Sequence, residues 1–307
     1  MSFGLQELGD GAYSLLTPSH GNGSFHRTTA ECSTMTILSM NEVTTFRWPF
    51  EEDVARYVAA GYQGIGVWRQ KLADYGEERG IDLLASSGLK VTNLLWAGGF
   101  TGSDGRSLHE SVEDARHAIR LAGAMGAGCL VVYSGGRNYH TERHAERLLR
   151  TAVDQLLDDA VMSDVTLALE PMHPACAREW TFLSDLESTL TFCETFACPH
   201  LKLVLDAYHF GDDETVLANL RELVDYVGIV HLGDRKELPS IDLDRCCLGA
   251  GEVRLARFVH GLLEAGYQGD FDVELFGREI EVADYQWLLD ESLKYLEELL
   301  APVKEGG

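Results

Sequence analysis

Short apolar runs alternate with longer stretches in which apolar residues recur every third or fourth position, from about residue 35 to the end of the chain. The runs predict strands at Met35–Ser39, Gly64–Trp68, Lys90–Leu95, Cys129–Tyr133, Val165–Glu170, Leu201–Asp206, Val227–His231 and Phe271–Leu275. Between them the periodicity predicts helices near Glu51–Ala60, Lys71–Ser87, Leu108–Ala122, Thr141–Val161, Leu183–Phe196, Asp213–Val224, Leu255–Ala265 and Val282–Leu300. The strands are almost unbroken apolar runs, as expected of parallel strands covered on both faces. Glycine follows several helical stretches, in AAGYQG, SSGLK, AMGAG and EAGYQG, as it does at a left-handed helix cap. No Pro- or Ser-rich linker interrupts the alternation. The fold class expected is therefore α/β, a single (β/α)8 TIM barrel over residues 34–307. Residues 1–33 lack periodicity and are expected as an N-terminal arm.

Polar residues interrupt this pattern at the ends of four successive strands. VTLALE ends in Glu170, LKLVLD in Asp206, VGIVH in His231, and FDVELF carries Glu274 near its end. A carboxylate or imidazole closing an apolar strand costs several kcal/mol, on the order of 2–7, if it is buried without a partner. Four from consecutive strands converge at the C-terminal mouth of a barrel, where barrel enzymes keep their active sites. Two Glu, one Asp and one His form an oxygen and nitrogen donor set suited to one divalent ion: Mn2+ first, with Mg2+, Co2+ or Zn2+ as alternatives. The absence of Cys from the set argues against a structural zinc.

Composition narrows the partners. Asp and Glu total 49 against 25 Lys and Arg, a net charge of −24. Such a field repels phosphate backbones and anionic membrane surfaces, so neither nucleic acid nor membrane is expected as a partner. No apolar run reaches the roughly 18 residues that span a bilayer, and MSFGLQELGDGAYSLL does not read as a secretory signal, so a cytoplasmic location is expected. Seven cysteines without a C-x-x-C pair read as reduced, largely buried thiols.

The segments LALEP (Leu167–Pro171), LDAYHFG (Leu205–Gly211), IVHLGD (Ile229–Asp234), LGAGEV (Leu248–Val253) and GYQGDFDVELFG (Gly266–Gly277) resemble the xylose isomerase-like barrels. That superfamily includes ketose 3-epimerases, inosose dehydratases, hydroxypyruvate isomerases and endonuclease IV. The resemblance implies that Glu170, Asp206, His231 and Glu274 bind the metal and that Glu170 and Glu274 also form the acid/base pair of a sugar isomerase or epimerase. It further implies that His209, in the D-x-x-H step from Asp206, contacts substrate. The chemistry expected is proton abstraction next to a keto-sugar carbonyl through an enediolate.

Ser134–Arg150, EPMHP at Glu170–Pro174 and Arg245–Gly249 are similar to the catalytic subunit of C-glycoside deglycosidases, which cleave the carbon–carbon bond of 3-oxo-C-glycosides. On that alternative His140 is the base and the enzyme is a lyase. Trp68, Trp96 and Tyr133, at strand ends like Trp48, and Arg235 after His231 are further substrate-contact candidates. The substrate expected is a small sugar or glycoside, and the resemblance brings two assembly alternatives, a homo-oligomer or a small second subunit. Two rivals stand outside this class. A nuclease of the endonuclease IV type needs additional histidines where this chain has Trp68, Trp96 and Ser134, and a non-catalytic sugar-binding barrel would not need both glutamates.

Overall fold

The computed structural model describes residues 36–239 and 242–301. The expected N-terminal arm, residues 1–33, and the start of the first expected strand at Met35 lie outside the described residues.

Eight parallel strands close into one barrel: β1 (Leu38–Asn41), β2 (Gly64–Trp68), β3 (Lys90–Gly98), β4 (Cys129–Tyr133), β5 (Thr166–Leu169), β6 (Leu201–Asp206), β7 (Val227–Leu232) and β8 (Phe271–Val273). Each pairs with its neighbours in sequence, and β1 closes the ring against β8. A two-stranded antiparallel ribbon, Asp234–Arg235 with Arg245–Cys246, lies in the connection after β7. Among the described residues no helix is long and apolar enough to cross a membrane.

Side chains alternate across the strands, which decides what reaches the barrel interior. Cys129, Val131, Ala168, Val204 and Ile229 pack together in one inner cluster, while Leu130, Leu169, Leu205, Val230 and Val273 belong to the core between sheet and helices. Helix Leu255–Ala265 closes that outer layer with Leu255, Phe258, Val259 and Leu262, all buried. Each such burial is worth about 1.5–3 kcal/mol. Helix ends follow the chemistry of their caps. Ser107 forms a capping box with Glu110 at the start of Leu108–Met125, and Gly126 ends that helix at φ +63°. The two AGYQG turns place Gly61 at φ +100° and Gly266 at φ +98°, conformations that favour glycine.

Several helices are more broken than the periodicity suggests. The expected Lys71–Ser87 is two helices, Arg69–Tyr75 and Glu77–Ser87, because Gly76 between them takes φ +105°. The expected Asp213–Val224 divides into Glu214–Ala218 and Leu220–Leu223 at Asn219, ahead of a 3-10 turn at Val224–Tyr226. The last helix begins at Tyr285, where the Asp284 carboxylate accepts the backbone N–H groups of Gln286 and Trp287. After β5 a short helix, Pro174–Trp180, precedes Leu186–Glu194. Only the second of these was expected, and the first adds a wall to the site.

Candidate metal centre and cavity

The inner face of the barrel carries Ala168, Val204 and Ile229 in one cluster. Two residues further along the same strands, on the same face, stand Glu170, Asp206 and His231. On β8 the inward sequence is Asp272 and then Glu274, so here a carboxylate occupies the layer that is apolar on β5 to β7. Glu170, Asp206, His231 and Glu274 are all buried, with ligand atoms within 4.8 Å of one another. The His231 Nδ1 lies 3.4 Å from Glu274 Oε2 and 4.0 Å from Glu170 Oε1. Donors held about 2.0–2.2 Å from one shared ion stand at comparable separations. Both His231 ring nitrogens are buried, and no hydrogen bond of normal geometry satisfies either, Glu274 standing at a long 3.4 Å from Nδ1. An orphaned imidazole beside three buried carboxylates fits a divalent cation.

The crowding of buried carboxylates around one imidazole sets the electrostatics. Burial and then the Glu274 charge push Glu170 well above the usual carboxylate range. Burial alone would strip the His231 proton, but Glu274, Glu170 and Asp272 outweigh it and carry the imidazole up to about 10. Burial would also raise Glu274, yet His231 and Arg245 bring it below its ordinary value.

Arg245 supplies the internal countercharge, a role for which the sequence reading had no candidate. It is fully buried, donating to Asp206 Oδ2 at 2.8 Å, Glu274 Oε2 at 3.3 Å and Asp242 Oδ1 at 2.7 Å. Its guanidinium lies 4.2 Å from the Tyr208 ring centroid and 3.9 Å from that of Phe276. Planar stacking and forked donors suit Arg and not Lys.

Asp272 is a further buried carboxylate, with Asn41 and Asn93 donating to its Oδ2 at 2.7 and 2.8 Å. The same oxygen stands 3.9 Å from His231 Nε2. Its charge favours a proton on Nε2, so that an imidazole deprotonated for metal binding would present Nδ1 toward Glu170 and Glu274. Partners of this kind commonly fix a ligating imidazole. Asp272→Asn is expected to weaken Mn2+ binding by about 10–100-fold, measured by titration calorimetry. An affinity within twofold of the parent would contradict the assignment.

A cavity of about 350 Å3 is lined by Glu170, Glu274, Asp242 and Arg245, and by an apolar wall that includes Trp68, Trp96, Tyr133 and Trp180. Three of the expected contact residues, Trp68, Trp96 and Tyr133, therefore line it. The others are placed elsewhere. His209 is buried outside the lining, with Nε2 3.7 Å from Asp206 and 3.6 Å from Asp242. His140 does not line the cavity either: its Nε2 is 3.2 Å from the Thr101 carbonyl. The loop before it passes through left-handed Asn138 and Tyr139 and turns His140 toward that carbonyl. Arg235, expected at the substrate, is committed to the Tyr208 carbonyl at 2.9 Å and to Asp212 at 3.0 Å. Arg245 takes the place in the lining for which Arg235 had been the candidate. Trp48 packs edge-on against Tyr285, with centroids 5.3 Å apart.

Cys176, His209 and Asp242 form a second buried group of ligand-type side chains. Burial pushes the Cys176 thiol up to about 12, and Arg245 already neutralises Asp242, so this group is poorly suited to a second cation.

One strand-end carboxylate escaped the sequence reading altogether. Glu42, just past β1, is fully buried and accepts the Trp68 backbone N–H at 2.8 Å. Asp53 nearby is ion-paired with Lys71. Burial and then the Asp53 charge raise Glu42 well above its ordinary 4.5. Because the folded chain holds this proton more tightly than the unfolded chain, the associated stability is present at low pH. It is lost as pH rises through the raised folded value. A Glu42→Gln variant has no such loss, so its melting temperature relative to the parent is expected to increase from about pH 5 to about pH 8. A gap that stays constant or narrows in thermal scans would contradict this.

The sequence model of the xylose isomerase-like TIM barrel family matches residues 54–299. Over 227 residues the chain is 24% identical to the D-psicose 3-epimerase of Enterocloster bolteae, covering 69% of this chain and 70% of that one. Among solved structures, protein SMc04130 of Sinorhizobium meliloti 1021 superposes with a TM-score of 0.78 at 25% identity, covering 85% of this chain and 98% of that one. The IolI protein, whose crystal structure has a bound zinc atom, gives a TM-score of 0.76 at 21% identity, covering 88% of this chain and 100% of that one.

Proposed function

The chain belongs to the xylose isomerase-like TIM barrel family, and from that premise we propose that it is a divalent-metal-dependent isomerase or epimerase of a keto-sugar. One arrangement carries the reading: Glu170 and Glu274 both belong to the buried ligand-type group and both line the cavity. The relationship to a D-psicose 3-epimerase and the zinc in IolI support the same class.

Glu170, Asp206, His231 and Glu274 would hold the ion, and Mn2+ suits their mixed oxygen and nitrogen donors. When bound, such an ion polarises a carbonyl and stabilises negative charge on its oxygen. The chain's own groups do the remaining work. One glutamate takes the proton from the carbon next to the carbonyl, leaving an enediolate, and the other returns a proton to complete the isomerisation or epimerisation. Arg245, fixed by Asp206 and Asp242, places a permanent positive charge beside the developing oxyanion.

The lyase alternative draws on His140 as base, and that ring faces the Thr101 carbonyl instead of the cavity. Deprotonation of the carbon by one glutamate and reprotonation by the other require no such base. The test is NMR in D2O with Mn2+-loaded protein and a panel of free ketoses. Deuterium entering next to the carbonyl, with a second sugar appearing, is the expected result. Metal-loaded protein that exchanges no ketose in the panel would contradict the proposal.

A further inference from the structure

We infer that the cavity contains, beside its carboxylates, a subsite for a planar apolar substituent carried by the sugar, with Trp96 and Trp180 as its principal wall. This rests on the keto-sugar reading of the same site and adds to it the class of substrate.

A free hexose bears oxygen on every carbon, and each hydroxyl taken from water needs a partner. The charged groups near the centre of the lining are already engaged with one another or set aside for the ion. The other charged lining residues, Arg278 and Glu281, are exposed at the rim. What remains is largely aromatic and aliphatic.

The rings form one continuous surface. Trp96 and Trp180 are stacked with centroids 5.8 Å apart and an interplanar angle of 29°. Tyr133 meets Trp180 edge-on at 5.9 Å, and Trp68 meets Trp96 edge-on at 6.4 Å. Faces and edges combined in this way receive an aryl group more readily than a hydroxylated chain.

Trp180 also leaves 40% of its surface in water. Phe46, which lines the same cavity, leaves 38%. A substituent laid against them would remove that apolar surface from solvent, whereas a bare sugar would gain little there. Trp180 combines the stack on Trp96 with the greatest exposure of any ring in this lining, which makes it the residue to vary.

The experiment compares D-fructose with 6-O-benzyl-D-fructose on the Mn2+-loaded protein, reading solvent-deuterium exchange by NMR and affinity by calorimetry. The benzyl ketose is expected to exceed D-fructose in kcat/KM by about tenfold or more. Trp180→Ala should cut that preference by about three- to tenfold, while Trp180→Phe, which keeps an aromatic face, should retain most of it. Equal or lower kcat/KM for the benzyl compound overturns the subsite, and an unchanged preference in a folded Trp180→Ala protein overturns the role of Trp180. If neither ketose exchanges but the benzyl compound binds about tenfold more tightly, the subsite stands and the isomerase reading falls. Equal binding without exchange overturns the subsite as well.

Discussion

Glu274→Gln protein held in saturating Mn2+ is expected to lose about 10²–10⁴-fold in solvent-deuterium exchange into any ketose that the parent exchanges. Glu170→Gln should behave the same way. Both side chains are buried and line the cavity, so neither can be replaced by bulk water as a proton carrier. The amide keeps the size and one oxygen donor of the carboxylate but cannot accept a proton from carbon. Because each glutamate is also a candidate ligand, the assay must be made with metal shown to be bound. Residual exchange within tenfold of the parent, with the ion in place, would remove the variant residue from the proton-transfer pair.

Replacing Arg245 by Met should produce the largest stability change. It leaves Asp206, Asp242 and Glu274 buried without the guanidinium that now bonds all three. Breaking a buried charge network from one side costs about 3–5 kcal/mol. Losing a positive charge beside the candidate ligands should tighten Mn2+ binding, so by mass action the ion would stabilise the variant more than the parent. The variant's deficit in urea unfolding should therefore be large without Mn2+ and smaller with it. A deficit under about 1 kcal/mol, or one that Mn2+ leaves unchanged, would show that Arg245 does not serve as the countercharge of the metal centre.

The barrel was legible because strands buried on both faces read as apolar runs and because glycine caps separate them from helices. The set Glu170, Asp206, His231 and Glu274 was legible for a related reason: each breaks such a run at its C-terminal end. Asp272 was passed over although it shares the parity of Glu274 on β8, a period-2 signal available in FDVELF. Arg245 was visible only as the start of the Arg245–Gly249 segment and not as a countercharge, since the ribbon pairing that positions it joins Asp234–Arg235 to Arg245–Cys246 across a stretch without periodicity. Proximity in sequence to His231 favoured Arg235, whose guanidinium is tied to Asp212 instead. Trp180 was hidden because Pro174–Trp180 is only seven residues long, too short for helical propensity to announce it. The broken helices at Gly76 and Asn219 reflect single residues that interrupt an otherwise continuous apolar period.

The most direct measurement is the stoichiometry and affinity of Mn2+ binding, read from the loss of the free-ion electron paramagnetic resonance signal. The parent, His231→Ala and Asp206→Ala would be titrated side by side. A metal centre built from Glu170, Asp206, His231 and Glu274 predicts one tightly held ion per parent chain and at least about 100-fold weaker binding in each variant. Absence of a saturable site in the parent, or unchanged stoichiometry and affinity in both variants, would contradict it.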